Sequence, residues 1–421
     1  MNPSTPPLNE TTEKINWRLL LPLFLVVAID SMGMGIVLPL LPFYGQHFGA
    51  TNFEVSLLFM VFSLCQVIAS PLLGRWSDKI GRKPVLIFSQ IGSLISMACM
   101  ALAGNFLMVA IARMINGITA GNISVAAAYA VDASSPNTRK QAIGFVGAGI
   151  GVGLVIGPAL SAFSSHWALS APLWIATALS LVSLLANIFF LPKDTPQDRN
   201  TKKEHMPIET WLFTPAVFAT LALASLFYLA TSLFVTGLGL YLQHNFTWNG
   251  HPFGPQQLGW IFVGTGFINI LVQMGFIRWI CKKMSDAYLI ACSFFIMLIS
   301  YFSLEFIPSV GLLALVLGVG ALGSALLRPS ISAILSLCVP PTHQGAIMGA
   351  NQSVMAVSNV IGPLIAGLLL NANLYNWWIF VMSAILFIAT IATLIISQLR
   401  VWPETALKPI TERNKNPLQT N

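Results

Sequence analysis

Twelve stretches of this chain are continuously apolar over about 18 residues or more, starting near Leu19, Val55, Pro84, Phe106, Gln141, Ala171, Leu212, Gln256, Ala287, Val310, Ala346 and Trp377. A helix of that length covers the roughly 30 Å of hydrocarbon in a bilayer, and in lipid only helices and closed barrels satisfy every backbone group. Barrel strands alternate apolar and polar residues, whereas these runs do not alternate. Composition agrees, with 56% hydrophobic and 8% charged residues, against roughly 25% charged in a soluble domain. The sequence therefore predicts an all-α integral membrane protein with 12 transmembrane helices.

Orientation follows from the cations, because short cytoplasmic loops retain Lys and Arg. Lys14 and Arg18 precede the first span; Arg75, Lys79, Arg82 and Lys83 follow the second, and Arg139 and Lys140 the fourth. Lys193, Arg199, Lys202 and Lys203 follow the sixth, Arg278, Lys282 and Lys283 the eighth, and Arg400, Lys408, Arg413 and Lys415 the twelfth. The opposite loops, PFYGQHFGATNFE, GNF, SSHWALSA and QHNFTWNGHPFGPQQ among them, contain none. Both termini are expected to be cytoplasmic, in a multi-pass protein of the inner cell membrane. The first span is long, carries Asp30 and is followed by no small-residue cleavage pattern, so no cleavable signal is expected. The net charge of +7 is explained by a basic face against anionic headgroups. Nucleic acid is not an expected partner.

The polar stretch PKDTPQDRNTKKEHMP divides the chain into a bundle over 1–192, a linker over 193–210, a second bundle over 211–400 and a cytoplasmic tail over 401–421. The halves repeat: QAIGFVGAGIGVGLVIGPAL in span five matches QGAIMGANQSVMAVSNVIGPLI in span eleven, ending at Gly157 and Pro158 or Gly362 and Pro363. Two pseudo-symmetric six-helix bundles are expected, an arrangement that places a transport site where repeats meet near the midplane.

Charges inside spans carry the functional signal, since each costs several kcal/mol unless it meets a partner or a water-filled cavity. Asp30 lies deep in the first span, Arg113 lies inside the fourth and Arg328 near the inner end of the tenth; Asp132 stands near the inner end of the fourth and Glu305 near the outer end of the ninth. Asp30 and Arg113 either neutralise each other or mark a pathway. Arg328 either snorkels to the interface or holds an anionic substrate. After the second span, GRWSDKIGRK sets four cations and Asp78 on an expected two-glycine turn, Gly74 and Gly81. Its echo in the second half, IRWICKKMSDAYL, has Cys281 opposite Asp78 and Met284 opposite Gly81. The acid and the glycine occur once, as a latch on one face would require.

Gly74, Asp78, Lys79, Gly81, Arg82 and Lys83 resemble the loop 2-3 signature of the major facilitator superfamily. That resemblance implies that Asp78 and Arg82 join a charge network with Asp132, forming a cytoplasmic gate that holds the outward-facing state and breaks on turning inward. ARMINGITAG, with Arg113, Asn116, Gly117 and Gly121, is similar to the family's proton-coupling signature. Gly149, Gly153, Gly157 and Pro158 resemble its antiporter helix, although Ala159, Leu160, Ser161 and Ala162 stand where a glycine pair normally follows. Glycines one turn apart let helix backbones approach closely. IDSMGMGIVLPLLP and HQGAIMG are similar to the corresponding segments of tetracycline efflux pumps and related drug:proton antiporters. Those pumps usually carry an acid in the third helix and a His in the eighth; spans three and eight here contain neither.

The resemblance implies proton-coupled efflux of small amphipathic compounds, with Asp30 as the protonatable carboxylate and Arg113 tuning it. The alternative is proton-coupled movement of an organic anion, a siderophore or a nutrient. Intramembrane polar residues expected to line the substrate cavity are Gln66, Asn116, Tyr228, Asn269, Gln273, Arg328, Asn351, Gln352 and Asn359, each of which could instead bond a neighbouring helix. No phosphate-cradling loop is present, so the proton gradient is the expected energy source and no cofactor is expected. The five cysteines and six histidines form no metal-spaced or catalytic cluster. Neither a metal nor an enzyme is expected; the partners are a small molecule, protons and the bilayer, and the protein is expected to be a monomer.

Overall fold

The computed structural model describes residues 17–132, 134, 138–192, 214–276, 280, 283–340, 343–403 and 406. Most of the linker and tail, and the counterpart residues Arg278, Trp279 and Cys281, lie outside them. Among the described residues, twelve spans are long and apolar enough to cross a membrane. The first half comprises α1 (Trp17–His47), α2 (Asn52–Ile80), α3 (Arg82–Ala101), α4 (Phe106–Ile118), α5 (Asn122–Asp132), α6 (Arg139–Ser164) and α7 (Ala171–Phe190). The second comprises α8 (Pro215–Asn245), α9 (Pro255–Leu271), α10 (Asp286–Ser303), α11 (Val310–Leu337), α12 (Gln344–Asn371) and α13 (Tyr375–Gln398).

Local chemistry sets the helix ends. Thr51 Oγ1 accepts from the Glu54 backbone N–H at 3.2 Å while the Thr51 N–H donates to the Glu54 carboxylate at 2.8 Å. This reciprocal cap satisfies two otherwise orphan donors and starts α2 ahead of its apolar run. After α8, the strands β1 (Thr247–Trp248) and β2 (His251–Pro252) pair across Asn249 and Gly250, both at positive φ, the backbone that a two-residue hairpin demands.

Three features depart from the expected pattern. Gly74 is not part of a turn: α2 continues to Ile80, and only Gly81, at φ 98°, breaks the chain before α3. An i→i−4 ladder tolerates Gly74, whereas a Cβ at Gly81 would strain the left-handed backbone. The fourth span is two helices, interrupted over Thr119, Ala120 and Gly121. The eighth span ends in a π-helical turn, Val272–Phe276.

Within the first half, α6 lies on α1. A Cβ on Gly157 would stand 2.5 Å from the Met32 carbonyl oxygen, and one on Gly153 2.5 Å from that of Ala28 and in collision with Ser31. The two halves meet chiefly through α2 on α12 and α6 on α9. Their contacts gather toward the ends remote from the termini: Gly367 faces Ser56 and Phe53, Gly259 faces Pro158 and Ala162, and Gly239 faces Pro42. Toward the ends that carry both termini, Gly144 and Gly147 of α6 and Gly345 and Gly349 of α12 face nothing within 4 Å. The close approaches between the halves are thus on the face remote from the termini.

Candidate functional site

Asp30 sits midway along α1 and is half-buried. Its Oδ1 accepts from Asn122 Nδ2 at 2.9 Å and, over a longer 3.4 Å, from Ser93 Oγ. Asn122 is the first residue of α5 and is 2% exposed. The break before it explains its place: Thr119 occupies the space that Gly92 leaves on α3, Ser70 Oγ donates to the Ala120 carbonyl at 3.2 Å, and α5 starts afresh beside α1. Irregular backbone at membrane depth persists only where protein covers it or it lines a cavity.

Arg113 does not meet Asp30. Its Nε donates to the Leu58 carbonyl at 3.3 Å and its guanidinium lies 4.2 Å from the Phe62 ring centroid. The ion pairs of Arg82 with Asp78 and Asp132 involve neither Asp30 nor Arg113. The expected Asp30 and Arg113 pair is therefore replaced by two separate arrangements: a carboxylate held by neutral donors and a cation held by a carbonyl and an aromatic face. A cation over a desolvated ring gains about 2 kcal/mol, which lets Arg113 stay buried without an acid.

At the face of the termini, Arg82 is 7% exposed and joins three partners. Its Nη2 lies 2.7 Å from Asp78, its Nε 3.0 Å from Asp132, and its Nη1 donates to Ser77 Oγ at 2.6 Å. Lys83 Nζ donates to the carbonyls of Ile188, at 2.8 Å, and Leu191, where the open end of α7 favours a cation. Lys79 is exposed at the end of α2. Asp78 and Asp132 both belong to the half that holds Arg82.

The antiporter-type glycines bear on the same site. Gly149, Gly153 and Gly157 face α1 from Phe24 to Gly35, and Pro158 also meets Gly35, so the stripe brackets Asp30. Of the nine cavity candidates, hydrogen bonds among the described residues join one pair: Asn351 Nδ2 donates to Tyr228 Oη at 3.1 Å, and both are buried. Asn269 donates to the Thr265 carbonyl of its own helix at 3.1 Å. Gln66, Asn116 and Asn359 are half-buried, while Gln273, Arg328 and Gln352 are exposed.

Ser93 and Asn122 were not foreseen from the sequence. Thr119, Ala120, Gly121 and Asn122 form a run of weak helix formers at mid-span, a signal of a broken helix. Also unforeseen is the outer contact in which Asn52 Nδ2 donates to the Leu370 carbonyl at 3.0 Å and to Tyr375 Oη at 3.3 Å.

Comparison with known proteins agrees with this architecture. Tetracycline resistance protein, class B, of Escherichia coli is 27% identical over 369 residues, 85% of this chain and 90% of that protein. The quinolone resistance protein NorA of Staphylococcus aureus is 27% identical over 358 residues, 84% of this chain and 90% of that protein. In fold, the chain is similar to a bacterial homologue of the human lysosomal transporter Spinster in an inward-facing, occupied conformation. The TM-score is 0.74 at 14% identity, over 91% of this chain and 97% of that one. A sequence model of the Major Facilitator Superfamily matches residues 23–286 and 220–419. With two six-helix halves and a family match that spans nearly its whole length, this chain belongs to the Major Facilitator Superfamily.

Proposed function

We propose that this transporter expels small amphipathic compounds in exchange for protons by alternating access, and that Asp30 carries the proton. The observation that carries the reading is the isolation of Asp30: a mid-span carboxyl held by Asn122 and Ser93, with no ion pair among the described residues. Ionised and away from water, such a group costs several kcal/mol; protonation removes that cost. A carboxyl that gains by changing protonation as its surroundings hydrate and dry is suited to loading and releasing a proton. The relatives named for tetracycline and quinolone resistance support drug efflux as the direction. The glycine stripe lets α6 and α1 move as one packed layer, and Arg82, with Asp78 and Asp132, braces α2, α3 and α5 at the cytoplasmic gate. The close approaches between the halves on the face remote from the termini support an inward-facing arrangement.

Everted membrane vesicles with an acidified lumen test this directly. A tetracycline, a quinolone and a lipophilic cation are added in turn, and lumenal pH is followed by a fluorescent probe. Proton release with at least one of them, abolished in Asp30→Asn while membrane insertion persists, is the expected result. Undiminished proton-driven export by Asp30→Asn would sink the assignment.

A second reading rests on Arg328. Its side chain is exposed in the second half of α11, toward the inner end of the span, with no hydrogen bond or ion pair among the described residues. A fixed cation there favours an organic anion as cargo.

A further inference from the structure

Asn122 carries a polar atom that nothing in the structure satisfies. Its Nδ2 donates to Asp30, but its Oδ1 is buried and has no hydrogen-bond partner. An orphaned carbonyl oxygen inside a protein forfeits about 1–3 kcal/mol, so its persistence calls for a state in which it is used. A carboxylate accepts only, whereas a carboxylic acid has one O–H to donate; a primary amide offers both a donor and an acceptor.

We propose that Asn122 is the positioning residue that reads the protonation state of Asp30. When Asp30 is ionised, the amide N–H holds its carboxylate through the 2.9 Å contact between Nδ2 and Oδ1. When a hydronium ion from the cavity delivers a proton to the carboxylate, Asp30 becomes neutral and water is released. The new O–H donates to Asn122 Oδ1 while the N–H contact persists, and the orphan is satisfied. No bond of Asn122 is made or broken. The charged groups on helices packed against α1 stand at their ends: Arg75, Asp78, Lys79, Arg82, Lys83 and Asp132 on one face, and Glu54 and His244 on the other; none of the described ones forms an ion pair with Asp30. Arg113 is occupied by Leu58 and Phe62. The amide is thus the group placed to sense the proton.

The break before α5 gives this reading an effect. Asn122 opens α5 and Asp132, which binds Arg82, closes it. A change of hydrogen bonding at one end of a helix about 16 Å long reaches the gate at the other without passing through the interrupted segment.

The inference rests on Asp30 as the proton carrier, and infrared difference spectroscopy of the full-length protein in lipid separates the two. Spectra recorded between alkaline and acidic pH are expected to show a protonated-carboxyl C=O band that is lost in Asp30→Asn. In Asn122→Leu that band moves to higher wavenumber, because the acid has lost its amide partner, and coupled transport falls about tenfold or more, as expected for a lost hydrogen bond to a charged group. Asn122→Ser, whose hydroxyl both donates and accepts, shifts the band less. If Asn122→Leu fails to insert, the band of Asn122→Ser is compared with wild type and still moves. An Asp30 band that is unmoved in the variants overturns the role of Asn122 and spares Asp30. The absence of any band attributable to Asp30 overturns both.

Discussion

Replacing Asn52 with Ala is predicted to loosen the contact between the halves on the face remote from the termini and to favour the state in which that face is open. Asn52 belongs to α2, in the first half, and its amide reaches across the interface to the Leu370 carbonyl at 3.0 Å and Tyr375 Oη at 3.3 Å. Tyr375 is in turn stacked on His244, with ring centroids 4.1 Å apart and planes 7° from parallel. When the outer ends separate, the bonds from Asn52 cannot survive. They therefore contribute to one state only, and differential contacts are what set a two-state equilibrium. A net hydrogen bond contributes about 0.5–1.5 kcal/mol; with one bond long and the site half-exposed, the pair sums to about 1.5 kcal/mol, a tenfold change in the ratio of states. In a cysteine-free background, spin labels at Trp167 and Trp248, which are exposed on that face in opposite halves, report the separation as a distance distribution. Asn52→Ala should enlarge the long-distance population about tenfold when that population is minor, and Tyr375→Phe, which removes the longer bond, by less. Distributions identical to wild type in both variants would refute the placement of a lock at Asn52.

Arg82→Ala should lower the stability of the detergent-solubilised protein by about 2–3 kcal/mol, since it strips a buried centre from two acids. Asp78→Asn should change it by less than about 1 kcal/mol, because the Asp78 side chain is 51% exposed and solvent screens the pair; thermal unfolding in one detergent gives both values. Gly153→Val should prevent stable packing of α6 on α1, where Ser31 and the Ala28 carbonyl already fill the space. Gly147→Ala, with nothing within 4 Å, should be tolerated; size-exclusion profiles distinguish them, and equal profiles would deny the contact. Arg328→Gln should reduce transport of organic anions at least about tenfold, the scale of a lost charged hydrogen bond, and spare lipophilic cations. Equal effects on both classes in a vesicle uptake assay would remove the organic-anion reading.

Much of the architecture was legible because lipid writes a strong signal. A span must be apolar over its whole length, so helix positions such as Phe106, Ala171 and Val310 follow from hydropathy alone. Capped ends are harder: α2 starts at Asn52 because Thr51 and Glu54 close the cap, and those polar residues fall outside any apolar window. The turn at Gly81 was legible in a short, local motif, while the pairing of Arg82 with Asp132 came only through the family resemblance that motif carries. Asp30 and Arg113 show the limit. Each is conspicuous as a charge in a span, but their mutual distance depends on how α1, α2 and α4 rotate about their axes, and hydropathy does not encode rotation. Asn122 was hidden for a related reason, since the break before α5 is made by Thr119 fitting Gly92, a contact between distant residues.

The short helix from Asn122 to Asp132 gives one rod two electrostatic handles. Linkage between sites is reciprocal: if proton binding at one end alters the strength of the ion pair at the other, disturbing the ion pair alters proton affinity by the same factor. Conditions at that surface of the membrane, such as ionic strength or the density of anionic lipid competing for Arg82, would then act on proton binding in the middle of the membrane. The pH dependence of transport would differ between bilayers of different headgroup charge, though no residue lining the substrate path had changed.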